Sequence, residues 1–274
     1  MRWLIVSADE LGLSSKRNQG ILEAHSKGIV TSASLLAYGP AFREAVKIAK
    51  AIPNLDIGLH LNLSEGDSLV LGHKTLTDPD GRFWGRQEAR RRVKEGLFDL
   101  REVERESDAQ MDTLKQAGLK ITHLNSLDHL HIRGNLAESL AVVARRHGIR
   151  CFRCPAERVR PASLVLDPER VAAVDEYHQS AINAIRIYAA QRMRSTENFG
   201  GASLSGHLTA DLLIETLRAL PEGLTELMVH PGMKAAESGF EGPEREAEVK
   251  ALTDPRIKPL LKELEIGLTH FGKL

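Results

Sequence analysis

Cysteine is scarce: two residues in 274, Cys151 and Cys154, both inside "CFRC". A thioredoxin-type pair opens a helix, but "GIRCFRCP" has strand character, and side chains three apart on a strand face opposite ways. Redox and zinc roles for the pair are therefore set aside, and a reducing, cytoplasmic compartment is expected. An excess of either charge is also lacking, since 37 Lys plus Arg stand against 37 Asp plus Glu. This balance argues against a nucleic-acid binder held by phosphate attraction. No apolar run approaches the roughly 18 residues needed to span a bilayer. The N-terminal apolar stretch is short and runs into acids where a secretory cleavage site would need small residues. No G-x-G-x-x-G follows a strand and no Walker A loop occurs, so a nucleotide fold gains no support.

What is present is alternation. The hydrophobic content of 42% suffices for one large core, and the length fits a single α/β barrel as well as two domains. "RWLIVSA" reads as a strand, followed by a helix around "RNQGILEAHSKG" that stops at Gly28. "IVTSASLLA" leads to a helix "PAFREAVKIAKAI", with Pro40 placed at its first turn. "LDIGLHLNLS" is a third strand, followed by a Gly- and Asp-rich insertion from Glu65 to Gly85. A charged helical stretch from Gln87 to Gly118 leads into "KITHLNSLDHLHI", a helix near Leu136–His147 and the strand "GIRCFRC". A long helix over Asp167–Arg194 precedes a Gly/Ser loop at Asn198–Gly206. Then come a helix (Ala210–Leu220), the strand "TELMVHPG", two short helices and a last strand "EIGLTHF". No linker or repeat interrupts this order. Strand–helix alternation predicts a parallel sheet or βα-barrel, and in both architectures ligands gather at the C-terminal strand ends.

Four polar clusters fall at such ends. Asp9–Glu10 closes the first strand and reads as a capped turn, a metal grip or an acid–base pair. In "IGLHLNLSEG" a period of two puts His60 on the polar face, beside Gly58, which leaves room for a ligand; a structural histidine is the alternative. If "THLNSLDHLH" is extended throughout, His123, Asn125, Leu127, His129 and His131 share one face and Asp128 points the other way. Imidazoles so grouped suit a metal such as zinc, or are simply exposed. In "MVHPG", His230 follows an apolar strand, with Pro231 and Gly232 forcing a turn. Carboxylates and histidines converging from several strand ends are what metal-assisted hydrolysis requires. "RQEARRRVKEG" reads as a solvated basic face, and "GASLSG" lacks the G-x-S-x-G spacing of a serine hydrolase.

At these residues the sequence resembles the YdjC-like, chitooligosaccharide-deacetylase family over nearly its whole length. "SADELGLS" is similar to that family's N-A-D-D-F-G-L-S opening. "GIVTSASLL", "IGLHLNLSEG", "THLNSLDHLH", "ELMVHPG" and "REAEVKALTDPRI" follow in family order. "YGPAF" and "HLNS" resemble the branch associated with hopanoid biosynthesis. The resemblance implies an irregular (βα) TIM-like barrel, one domain over residues 1–274, and a divalent ion, magnesium or zinc. It also implies hydrolysis of an N-acetyl group from an amino-sugar or glycolipid head group, and a homodimer. Carried over by position, Asp9 is the base, Glu10 and His60 are metal ligands, and His230 is the general acid. Two positions depart from the family: Glu10 stands where aspartate is usual, and Leu127 where the second metal histidine of "H-L-D-S-H" belongs. His129, on the same face, is the expected replacement ligand. Asn62, Asn125 and Asp128 are the expected substrate contacts. The alternative is a weakened or inactive relative that still binds a sugar-bearing ligand or partner.

Overall fold

The apolar N-terminal run forms β1 (Arg2–Leu11), buried along almost its entire length, as befits a parallel strand covered on both faces. The structure, a computed structural model, describes residues 1–234 and 241–274. Ser14 caps α1 (Ser15–Ser26) by accepting from the Arg17 amide, which satisfies one of the orphan donors at a helix start. There follow β2 (Ser32–Leu35), α2 (Phe42–Ala51) and β3 (Asp56–Leu61). Pro40 lies just before α2, whose capping position is Ala41, so it precedes the first turn instead of filling it.

The charged stretch predicted as one helix is two, α3 (Arg86–Lys94) and α4 (Leu100–Gln116). Gly96, at φ +68°, turns the chain between them, and the Asp99 carboxylate caps α4 through the Arg101 amide at 2.8 Å. β4 (His123–Ser126), α5 (Gly134–Arg146), β5 (Cys151–Phe152) and β6 (Glu157–Val159) come next. Then follow α6 (Pro168–Ala190), β7 (Asn198–Gly200), α7 (Ala210–Arg218), β8 (Gly223–Val229), α8 (Pro243–Leu252), α9 (Ile257–Glu263) and β9 (Ile266–Leu268). The segment predicted as a Gly/Ser loop thus opens with a short strand, β7, and β6 is a strand that the sequence reading lacks.

All pairings between these strands are parallel, in the order β5-β4-β3-β2-β1-β8-β7-β6, with β9 added to the first half of β1. The sheet curls into an irregular half-barrel of the βα type. At the rim where the strands begin, Arg194, just ahead of β7, bridges to Cys151 of β5. There the Phe152 amide donates to the Arg194 carbonyl at 2.9 Å, and the Arg194 amide to the Arg150 carbonyl at 2.8 Å. The main core joins β1 residues Leu4, Val6 and Ala8 to Ile21, Leu59, Leu124, Leu140 and Leu227.

The Glu65–Gly85 insertion is tied to α4 by two acids. Glu106 accepts from the Leu69 and Val70 amides, and Glu102 from the Lys74 and Thr75 amides and the Thr75 hydroxyl. The two cysteines are free and buried, one beside the Phe271 carbonyl and the other beside that of Ala181. Burial pushes both thiols up to about 11, where neither serves as a nucleophile near neutrality. No helix among the described residues is long and apolar enough to cross a membrane.

Candidate active site

Strands β1 and β8 run in step from Arg2 beside Gly223 to Ala8 beside Val229. The next residues, Asp9 and His230, therefore emerge together at the C-terminal rim. In a plain strand Asp9 and Glu10 would face opposite ways. Glu10, however, has a left-handed φ of +68°, uncommon for a residue with a side chain, and both acids line the same cavity of about 250 Å³.

Asp9 is held rigidly. One carboxylate oxygen, Oδ1, accepts from Ser34 Oγ (3.0 Å), Asn125 Nδ2 (3.0 Å) and Arg153 Nη2 (2.7 Å). The other, Oδ2, takes the second guanidinium nitrogen of Arg153 and faces His230 Nε2 at 4.0 Å. Burial opposes ionisation here, but the Arg153 guanidinium, with His60 and His230 beyond it, holds the carboxyl well below the usual range. Arg153 is itself fully buried and donates through Nε to Glu226 on β8 at 2.7 Å. A two-pronged guanidinium–carboxylate contact of this kind fixes geometry as well as charge.

Asn125 settles the tautomer of His60. Its amide nitrogen must face the Asp9 carboxylate, which only accepts, so its oxygen faces His60 Nδ1 at 2.8 Å. His60 therefore donates from Nδ1 and leaves the lone pair on Nε2, as a metal-ligating imidazole or a proton acceptor would. Burial keeps the ring neutral by pushing its pKa down to about 4. The space beside it at Gly58 is not open to a ligand as expected, because a β-carbon there would lie 2.4 Å from the His123 ring.

The histidine-rich stretch departs from the extended reading. β4 ends at Ser126, and Asp128 and His129 both adopt left-handed φ values (53° and 52°), so the period of two stops there. His123 faces inward and stacks on Phe271. His131 is spent on Ser126 Oγ (2.8 Å) and the Arg153 carbonyl (2.9 Å). His129 does line the cavity, enclosed by the Tyr177, Phe199 and His131 rings, and its Nδ1 has no hydrogen-bond partner. Asp128 lines it too and accepts from Arg90 at 2.6 Å. Asn62 does not. Its amide is consumed by the turn after β3, accepting from the Ser64 and Glu65 amides and donating to Tyr38 and the Glu65 carbonyl. Asn125 is likewise a relay between Asp9 and His60, with no exposed surface. Both amides brace the walls of the site from within.

His230 is aimed from its backbone. Its amide donates to Glu248 and its carbonyl accepts from Arg17 Nη1 at 2.7 Å. The following turn packs directly on α1, where a β-carbon at Gly20 would meet Gly232 at 2.3 Å. Burial drives the imidazole strongly toward its neutral form.

Glu10 and His60 both reach the cavity, but the donors present do not make a three-ligand metal site. Leu127 fills the third position with an alkyl side chain. The Glu10 carboxylate faces two cations, Arg17 (3.5 Å) and Arg86 (3.8 Å). Burial, outweighing these guanidiniums, pushes Glu10 up to about 7. Among the described residues no three His, Cys, Asp or Glu side chains are placed to share an ion, so the grouping expected of Glu10, His60 and His129 is not formed. Sequence reasoning also missed Arg153, Arg17, Arg86 and Ser34. For Arg153 there was a usable signal, a guanidinium inside the apolar run Cys151–Cys154.

Fold and site together define a class: a parallel βα-barrel protein with a carboxylate–histidine pocket at the C-terminal ends of its strands. The particular assignment follows from sequence. The chain belongs to the YdjC-like protein family, whose profile matches residues 3–263. A human carbohydrate deacetylase is 31% identical over 293 aligned residues, covering 99% of this chain and 90% of the relative. A carbohydrate deacetylase of Listeria welshimeri is 44% identical over 151 residues, 53% of this chain and 60% of its own length. The fold matches the crystal structure of an Enterococcus faecalis protein assigned to cellobiose-phosphate cleavage. The TM-score is 0.76 at 24% identity, covering 99% of this chain and 98% of that one.

Proposed function

We propose that this chain is a carbohydrate N-deacetylase, hydrolysing the N-acetyl group of an amino-sugar or of a glycolipid head group in the cytoplasm. The observation that carries the reading is the Asp9–His230 pair, with Oδ2 and Nε2 4.0 Å apart at the cavity wall. A water lying between them loses a proton to Asp9 as its oxygen attacks the acetyl carbonyl carbon. Asp9 is a weak base because Arg153 stabilises its charge, so it passes that proton on to neutral His230. His230 then protonates the nitrogen as the carbon–nitrogen bond breaks, releasing acetic acid and the free amine, which then exchange a proton. The single proton explains why a histidine held neutral by burial can serve as the acid. A divalent ion remains the helper that the family resemblance implies. Glu10 and His60 are the residues that would hold it, and with Leu127 beside them binding is weak.

Acetate release from a panel of N-acetylated glycosides tests the reading. Asp9→Asn and His230→Ala should each lower the rate by about 10²–10⁴-fold. The second reading, a binder that has lost catalysis, is favoured by Leu127 alone. It prevails if glycosides bind but no acetate appears, with or without added zinc or magnesium.

A further inference from the structure

At the opposite rim of the sheet, where the strands begin, lies a cleft of about 620 Å³ lined by Lys120, Arg145, Arg150, Arg192 and Arg194 and by no acidic side chain. All five cations are exposed. Elsewhere even exposed arginines find carboxylates, as Arg91, Arg146 and Arg256 do. Among the described residues, no Asp or Glu side chain comes within ion-pair distance of these five. Arg194 donates to a main-chain oxygen of Leu274 at 2.8 Å, a carboxylate oxygen in this chain; the side chains of the other four are exposed.

Part of this clustering has a structural cause. α4, α5 and α6 end at this rim, and helix C-termini favour cations. Three ends supply roughly −1.5 charges in all and the Leu274 carboxylate one more, against five full positive charges, so about half of the positive field remains. The chain as a whole is neutral, with 37 charges of each sign, which makes the surplus a local feature and not a general one. The backbone also fixes it: the ladder contacts between Arg150 and Arg194 hold these two residues side by side.

We propose that this cleft binds a soluble ligand carrying two or more phosphate groups. Guanidinium forks match phosphate oxygens in pairs, and cations spread around a concave cleft suit two anionic groups better than one. The volume is that of a small-molecule site. The one aromatic side chain in the lining, Phe271, is buried, so there is no platform on which nucleic-acid bases could stack. Nothing in this site depends on the deacetylase reading.

Calorimetric titration of the intact chain with inorganic pyrophosphate is expected to show saturable, one-to-one binding that weakens with salt. The R150E/R192E variant should lose at least about tenfold in affinity. R150Q/R192Q, which avoids charge repulsion and so guards against misfolding, should fall between the two at an unchanged melting temperature. Acetate release should be the same in all three. Vesicles of phosphatidic acid, compared with phosphatidylcholine by co-sedimentation, separate the possible sources of the phosphate. Binding to the former without any response to pyrophosphate would overturn the soluble ligand in favour of a membrane head group. No saturable heat and no vesicle binding, or an affinity indifferent to both arginine variants, would sink the site altogether.

Discussion

At the scale of single residues, the site is governed by which charges are already spoken for. Arg153 is committed to Asp9 and Glu226, and Arg17 and Arg86 face Glu10. Leu127 is where chemistry can be added back. Leu127→His should raise zinc affinity at least about tenfold, since an added ligand is worth more than the outer contacts whose loss costs 10–100-fold. Zinc titration of the purified protein checks this, and an unchanged affinity would mean that another side chain already fills the place. The gap was legible only through the family resemblance, which sets histidine where Leu127 stands; Asp9, Glu10, His60 and His230, picked out at strand ends, all reach the cavity. The sequence did not reveal the clamp. Arg153 lies between two cysteines that read as a motif, and only the folded sheet brings residue 153 against residue 9.

At the scale of elements, long periodic segments were legible and short or bent ones were not. β1, β3 and β8 announced themselves through apolar runs. β6 and β7, three residues each, carry too little pattern to register. The extended reading of 123–131 failed because two consecutive left-handed residues end the alternation, a conformation that composition does not advertise. The insertion after β3 read as a loop, yet two buried acids on α4 tie it down. Burial works against ionisation of Glu102, but the amides of Lys74, Thr75 and Leu76 and the Thr75 hydroxyl outweigh it and bring the carboxyl down to about 2. A depressed carboxyl stabilises the fold above its ordinary value near 4.5 and ceases to do so as pH falls toward about 2. Glu102→Gln should therefore cost about 1–3 kcal/mol at neutral pH, with the difference from the parent shrinking between pH 4.5 and 2. Urea unfolding at pH 7 and about pH 2 measures both limits.

At the scale of the whole molecule, β5 is joined to the segment ahead of β7 at the rim where the strands begin. The Phe152 and Arg194 amides make that connection, whereas β1 lies deep in the sheet between β8 and its partners β2 and β9. Hydrogen exchange should find these two amides far less protected than those of Val6 or Leu227; equal protection would mean the ring opens only with global unfolding. Mechanically, the barrel is a clasp fastened by one small catch at its base. Arg153 follows the catch by one residue and reaches up to Asp9, so loosening the base would slacken the grip on the acid at the top. The two rims of this protein are then ends of one lever, with Arg153 as its arm.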